Sequence, residues 1–236
     1  QPGLFDGRGP LLDCRALPAP DRAFRMPHHN ARFIVLEGLD GAGTTTQAAK
    51  LQAHCTRRGV LSFLTNEPTS DPIGAFIRRL LTGQERAPDG STYRPGEDAM
   101  GLLFAADRLA HSRVIASRLA AGEHVICDRY VFSSMAYQTL DASVTADWVI
   151  DVNQGCAVPH LTLFLSVPVD ECLRRLAARR GQAAIYETRP LLEKIARNYE
   201  KLLPRYQASF GRVVTLDGTK SVDDVHTAIV EAIGLD

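Results

Sequence analysis

Five short runs of the chain are almost wholly apolar: Phe33-Ile-Val-Leu36, Leu61-Ser-Phe-Leu64, His124-Val-Ile-Cys127, Leu161-Thr-Leu-Phe-Leu165 and Val213-Val-Thr-Leu216. Each is bounded by turn or polar residues, the pattern of a strand covered on both faces. Between them lie stretches patterned for helix, roughly 45–58, 72–82, 97–121, 168–180, 190–210 and 221–233. Strands alternating with helices predict a mostly parallel, doubly wound α/β sheet of about five strands with helices on both faces. No internal repeat and no linker divides the chain from Arg32 onward, so a single domain is expected there. Residues 1–30 follow neither period; Pro, Gly and alternating Arg/Asp read as a loose tail without the apolar core of a signal peptide.

Composition narrows the function more than the fold. In 236 residues, 27 Lys+Arg balance 27 Asp+Glu, so no net field recruits nucleic acid or an anionic membrane surface. No apolar run approaches the ~18–20 residues a membrane helix needs. The five cysteines, Cys14, Cys55, Cys127, Cys156 and Cys172, include no CxxC pair. That spacing argues against a disulfide framework or zinc site and for a reducing, cytoplasmic setting.

Candidate chemistry begins after the first strand. Gly38-Leu39-Asp40-Gly41-Ala42-Gly43-Thr44-Thr45 has the glycine framework of G-x-x-x-x-G-K-[ST], with Thr44 where the lysine belongs. Between a strand and a helix start, such a loop can wrap a phosphate chain with backbone N–H groups, and the Thr45 hydroxyl can ligate Mg²⁺. A glycine-rich turn with no ligand is the plain alternative. The third strand ends in Asp128-Arg129-Tyr130. An Asp at the carboxyl end of a parallel strand beside a phosphate loop is suited to hold a metal directly or through water. Taken alone, Asp128-Arg129 reads equally as a surface pair, Phe104 and Tyr137 as core, and Arg78 as a solvated helix residue.

Order and spacing lift these residues together. Glu37-Gly-Leu-Asp-Gly-Ala-Gly, Asn66-Glu-Pro-Thr, Leu103-Phe-Ala-Ala-Asp-Arg108 and Asp128-Arg-Tyr-Val followed by Ala136-Tyr-Gln138 make the chain resemble the thymidylate kinases over about residues 32–234. The resemblance implies a P-loop NTPase-type domain over residues 31–236, with a small lid around 178–190. It implies Mg²⁺-dependent transfer of the ATP γ-phosphoryl group to dTMP, and a homodimer. Phe104 would stack on the thymine and Arg108 donate to it; Ser134 would hydrogen-bond the base. Arg78 and Arg129 would hold the acceptor phosphate. Asp40 would sit near the sugar and Tyr137 would crowd its 2′ position, with Glu67 and Gln138 completing the acceptor set. Arg129, Asp128 and Asp40 would serve catalysis.

Two departures qualify the resemblance. Thr44 removes the cation that reaches the β- and γ-phosphates. The lid stretch Arg180-Gly-Gln-Ala-Ala184-Ile185-Tyr-Glu187 has Ala184 and Ile185 in place of the usual Asp and Arg, though it keeps Tyr186 and Glu187. Arg174, Arg175, Arg179, Arg180 and Arg189 could replace the missing charge. A nucleotide-binding protein with little turnover, or a kinase of another deoxynucleotide, stays open on these residues.

Overall fold

The computed structural model describes residues 31–180 and 189–234. The tail and most of the expected lid, with Tyr186 and Glu187, lie outside the described residues. Five parallel strands, β1 (Phe33–Gly38), β2 (Ser62–Asn66), β3 (His124–Asp128), β4 (Leu161–Ser166) and β5 (Val213–Asp217), run in the order β2-β3-β1-β4-β5. The chain starts at the centre, moves to one side for β2 and β3, then crosses to the other for β4 and β5. The carboxyl ends at that switch, around β1, form the crevice where such sheets bind ligands. Register brings the site together there: Leu36 lies opposite Asp128, and Gly38 opposite Leu165.

The six expected helices are present with ends shifted by about a residue: α1 (Thr44–Arg57), α2 (Pro72–Leu81), α3 (Glu97–Ala120), α6 (Val169–Arg180), α7 (Arg189–Phe210) and α8 (Val222–Ile233). Two more, α4 (Val131–Gln138) and α5 (Ala146–Val152), escaped the periodicity. In α4, six of eight residues are buried, so no polar face marks the helix. Helix α1 packs with α8, while α4 packs with α3 and α7. On α4 and α7, Phe132 stacks on Tyr206 at 4.4 Å and meets Tyr199 edge-on at 4.8 Å. Ile77, Leu80 and Met100, with Phe76 and Phe104, form a second small core joining α2 to α3. Among the described residues no helix is long and apolar enough to cross a membrane.

Two histidines guard the start of β1. His124 Nδ1 accepts the Arg32 N–H at 3.0 Å and His160 Nδ1 accepts the Phe33 N–H at 2.9 Å. Both pKa values are lowered, first by burial and then by the Arg32 charge. A lowered folded-state value means the unfolded chain binds more protons; this contribution is complete above the unfolded value of about 6.5 and is lost as pH falls through the folded values. The melting temperature should therefore drop between pH 7 and pH 5. His124→Asn and His160→Asn, which keep an acceptor but cannot protonate, should flatten that slope; an unchanged slope would show that the two bonds are not its source.

Candidate active site

The loop from Gly38 to Thr45 is shaped by what surrounds it. A Cβ on Gly38 would lie 3.0 Å from both Ala42 Cβ and the Leu165 carbonyl. Gly41 has φ +89°, and a Cβ there would meet the Cys172 carbonyl at 2.6 Å, so only glycine fits. Gly43 caps α1 in a left-handed conformation; no side chain bonds the helix start and its first turn holds no acid. The α1 N-terminus thus presents open N–H donors and a positive dipole end, a ready anion site. Thr44 is buried with its methyl turned toward Gly38, so the loop itself offers no cation at that position.

A cation approaches from α6 instead. Arg175 donates to the Ala42 carbonyl at 3.3 Å and the Gly218 carbonyl at 2.9 Å, while Glu171 receives its Nε at 2.7 Å. Arg174 pairs with the same Glu171, and Arg189 pairs with Asp170 at 2.5 Å. Arg179 and Arg180 belong to the last turn of α6. Beside the loop, Ala42, Gly43, Arg174, Arg175, Gly218 and Val222 line part of a cavity of about 450 Å³.

The end of β3 meets the loop. Thr45 Oγ1 donates to Asp128 Oδ2 at 2.5 Å, and the other oxygen, Oδ1, is buried without a hydrogen-bond partner among the described residues. Next to it Arg129 has φ +70°, a left-handed backbone unusual for a side chain of its size. Its Nη1 reaches the Gly38 carbonyl at 2.8 Å and its Nη2 reaches Asp40 at 2.5 Å. Tyr137 donates its hydroxyl to the other Asp40 oxygen at 3.1 Å. Burial works against the Arg129 charge, but Asp40 and its neighbours outweigh it and the pKa is raised well above the ordinary value. Asp40 is therefore in one cluster with Arg129 and Tyr137, 89 and 97 positions away in sequence.

The expected acceptor residues form a second cluster, and here the geometry adds what the resemblance did not carry. Arg108 is 1% exposed: Nε meets Glu67 at 2.7 Å, Nη1 meets Asn153 at 2.6 Å and Nη2 meets Ser134 at 3.0 Å. Burial pulls its pKa down, yet Glu67, then Tyr130 and Cys156, turn the net shift upward. Three of its five N–H donors are engaged, leaving one on each terminal nitrogen. Glu67 also meets His111 at 3.0 Å, and His111 reaches Thr65 at 2.9 Å. Gln138 is buried with its Oε1 unpartnered among the described residues. Phe104 is half-buried, one turn before Arg108 on α3. Arg78 does not project free into this cluster; its guanidinium donates to the Pro68 and Thr69 carbonyls, and Asp107 holds Thr69 through its N–H at 2.7 Å and hydroxyl at 2.6 Å.

Asn153, His111 and Asp107 were not among the residues singled out from sequence, and neither was a role for Glu37. Glu37 and Asp107 do stand in the segments that carry the resemblance, and a lone carboxylate within the apolar run Phe33–Gly38 was a further signal for Glu37.

Known proteins similar to this chain point to one family. The sequence profile of the thymidylate kinase family matches residues 36–229. The chain is 38% identical over 202 residues to a probable thymidylate kinase of Pyrococcus horikoshii, covering 85% of this chain and 95% of that protein. It is 38% identical over 204 residues to a probable thymidylate kinase of Thermococcus kodakarensis, covering 85% and 96% respectively. A putative thymidylate kinase of Treponema pallidum is 35% identical over 207 residues, covering 86% of this chain and 93% of its own length.

Proposed function

The chain belongs to the thymidylate kinase family, and from that premise we propose that it transfers the γ-phosphoryl group of ATP to dTMP, giving dTDP and ADP. The observation that carries this reading is Arg129, which bridges the loop at Gly38 and Asp40 beside Asp128. That is where donor and acceptor phosphates must meet for in-line attack by an acceptor phosphate oxygen. Such an oxygen is already nucleophilic, so the protein supplies alignment and positive charge rather than a base.

The donor side rests on the open α1 N-terminus for phosphates and on the neighbouring cavity for the nucleoside. Arg175 is the cation that stands in for the loop lysine, approaching Ala42 from α6. Thr45 and Asp128 suit Mg²⁺: both offer hard oxygen donors, and the unpartnered Asp128 Oδ1 is a ligand position without a competing hydrogen bond. When bound, the ion would neutralise phosphate charge. On the acceptor side, the two remaining Arg108 donors suit a keto oxygen, the unpartnered Gln138 oxygen suits a ring N–H, and Phe104 supplies an aromatic face. Tyr137, held by Asp40, crowds the sugar.

The second face of α3 supports a homodimer. Leu102 and Leu109 lie outward at 53% and 46% exposure, with Ala106, Ala110 and Val114 beside them, an apolar stripe that a two-fold partner would cover. Cys55, Cys127 and Cys156 are buried thiols outside any disulfide among the described residues, which supports a cytoplasmic setting.

A coupled ADP-release assay with ATP, Mg²⁺ and a panel of monophosphates tests the reading. dTMP should be turned over faster than dCMP, dGMP or UMP. Equal rates across the panel would refute the thymine site; no ADP release with any acceptor would refute the kinase.

A further inference from the structure

Glu37 has no part in the reaction as described, yet it is fully buried at the centre of the sheet. A carboxylate there is stable only if donors replace its water. Four do. Oε1 accepts the Tyr130 N–H at 2.8 Å and the Ser133 N–H at 3.1 Å; Oε2 accepts the Ser133 hydroxyl at 2.6 Å and the Tyr199 hydroxyl at 3.2 Å. Burial raises its pKa, while the Arg129 charge and the Ser133 and Tyr130 donors favour its ionised form.

Three of these donors come from residues 130–133, the opening of α4, so Glu37 satisfies the start of that helix from another strand. The segment it grips begins immediately after Arg129. Ser133 also connects the two directly: its hydroxyl donates to Glu37 and accepts from Arg129 Nη1 at 3.2 Å. Arg129 is thus held at both ends, its backbone by the turn that Glu37 fixes and its guanidinium by Ser133, Gly38 and Asp40. A left-handed backbone at a non-glycine residue persists only where its surroundings over-determine it, and Glu37 is the group that does so here.

We infer that Glu37 is a positioning residue for phosphoryl transfer, holding the Tyr130–Ser133 turn so that Arg129 stays aligned between the phosphate loop and Asp40. This rests on the kinase reading above. A role confined to stability would lower the melting temperature and leave the folded enzyme's kcat unchanged; alignment of Arg129 makes a different prediction.

The test is steady-state kinetics of the full chain with ATP, Mg²⁺ and dTMP, alongside thermal melts. Glu37→Ala should lower kcat by about 10²-fold with little change in either KM, the loss that a misplaced catalytic group produces. Glu37→Gln, which keeps an oxygen for the two backbone N–H groups, should recover most of it. Ser133→Ala, which cuts the direct link, should fall between the two. Combining Glu37→Ala with Arg129→Ala should cost no more than Arg129→Ala alone, because both act through one guanidinium. Leu119→Ala, at the far end of α3, should reduce the melting temperature without reducing kcat. If Glu37→Ala does not fold, Glu37→Gln and Ser133→Ala carry the test, and wild-type kcat in both would overturn the inference. Independent, multiplicative losses in the double variant would overturn it too. An inactive wild-type chain would overturn the kinase reading and this inference together; an active wild type with unaffected variants overturns this inference alone.

Discussion

Arg129→Ala is expected to lower kcat by about 10³-fold, with a smaller effect on the KM for ATP, the scale of loss for an arginine that stabilises charge in phosphoryl transfer. The expectation follows from position. Arg129 sits on the Gly38 carbonyl and Asp40, beside the Thr45–Asp128 pair, and Asp40 keeps it charged despite burial. A cation there meets the moving phosphoryl group more fully in the transition state than in the ground state, so the loss belongs in kcat. Arg129→Lys should recover only part, because one ammonium cannot span two acceptors that a planar fork reaches together. A variant with wild-type kcat would remove Arg129 from the mechanism.

Arg108→Met is expected to destabilise the fold by about 3–5 kcal/mol, the range for removing one partner of a buried ion pair. Side chains of Arg108 and Glu67 are 1% and 3% exposed, so the carboxylate cannot turn to water when its partner is lost. Asn153 and Ser134 would each lose a donor as well. Replacing both members, Arg108→Met with Glu67→Met, should restore much of the loss, since the cost lies in the orphaned charge more than in the pair. Urea denaturation of the three proteins decides it. A loss below ~1 kcal/mol in the single variant, the scale of an exposed pair, would refute the buried network as a support of the fold.

The two predictions differ in how far sequence reached toward them. Arg129 was marked by its place after an apolar run and by the residues that follow it. Its link through Ser133 to Glu37 was not. Ser133 and Glu37 are separated by 96 positions, and Arg108 and Asn153 by 45, with no local pattern linking either pair. Arg78 shows the same from the other side: its place in the motif says nothing of the Pro68 and Thr69 carbonyls that its guanidinium holds.

Local chemistry explains what the sequence determined by itself. The strands are short apolar runs, buried in β1, β3 and most of β4 but only half-buried in the edge strands β2 and β5, where no outer neighbour covers them, and the phosphate loop is glycine at positions where a Cβ would strike Ala42, Leu165 or Cys172, so composition and order within a few residues specify them. Helix α4 was decided only by the tertiary structure: surrounded by α3, α7 and β1, it has no polar face to give a period, and a carboxylate from another strand caps it. The same holds for the charged network around Arg108 and for the left-handed turn at Arg129. Each exists because residues distant in the chain supply donors that replace water, and only the packed fold brings those donors within reach.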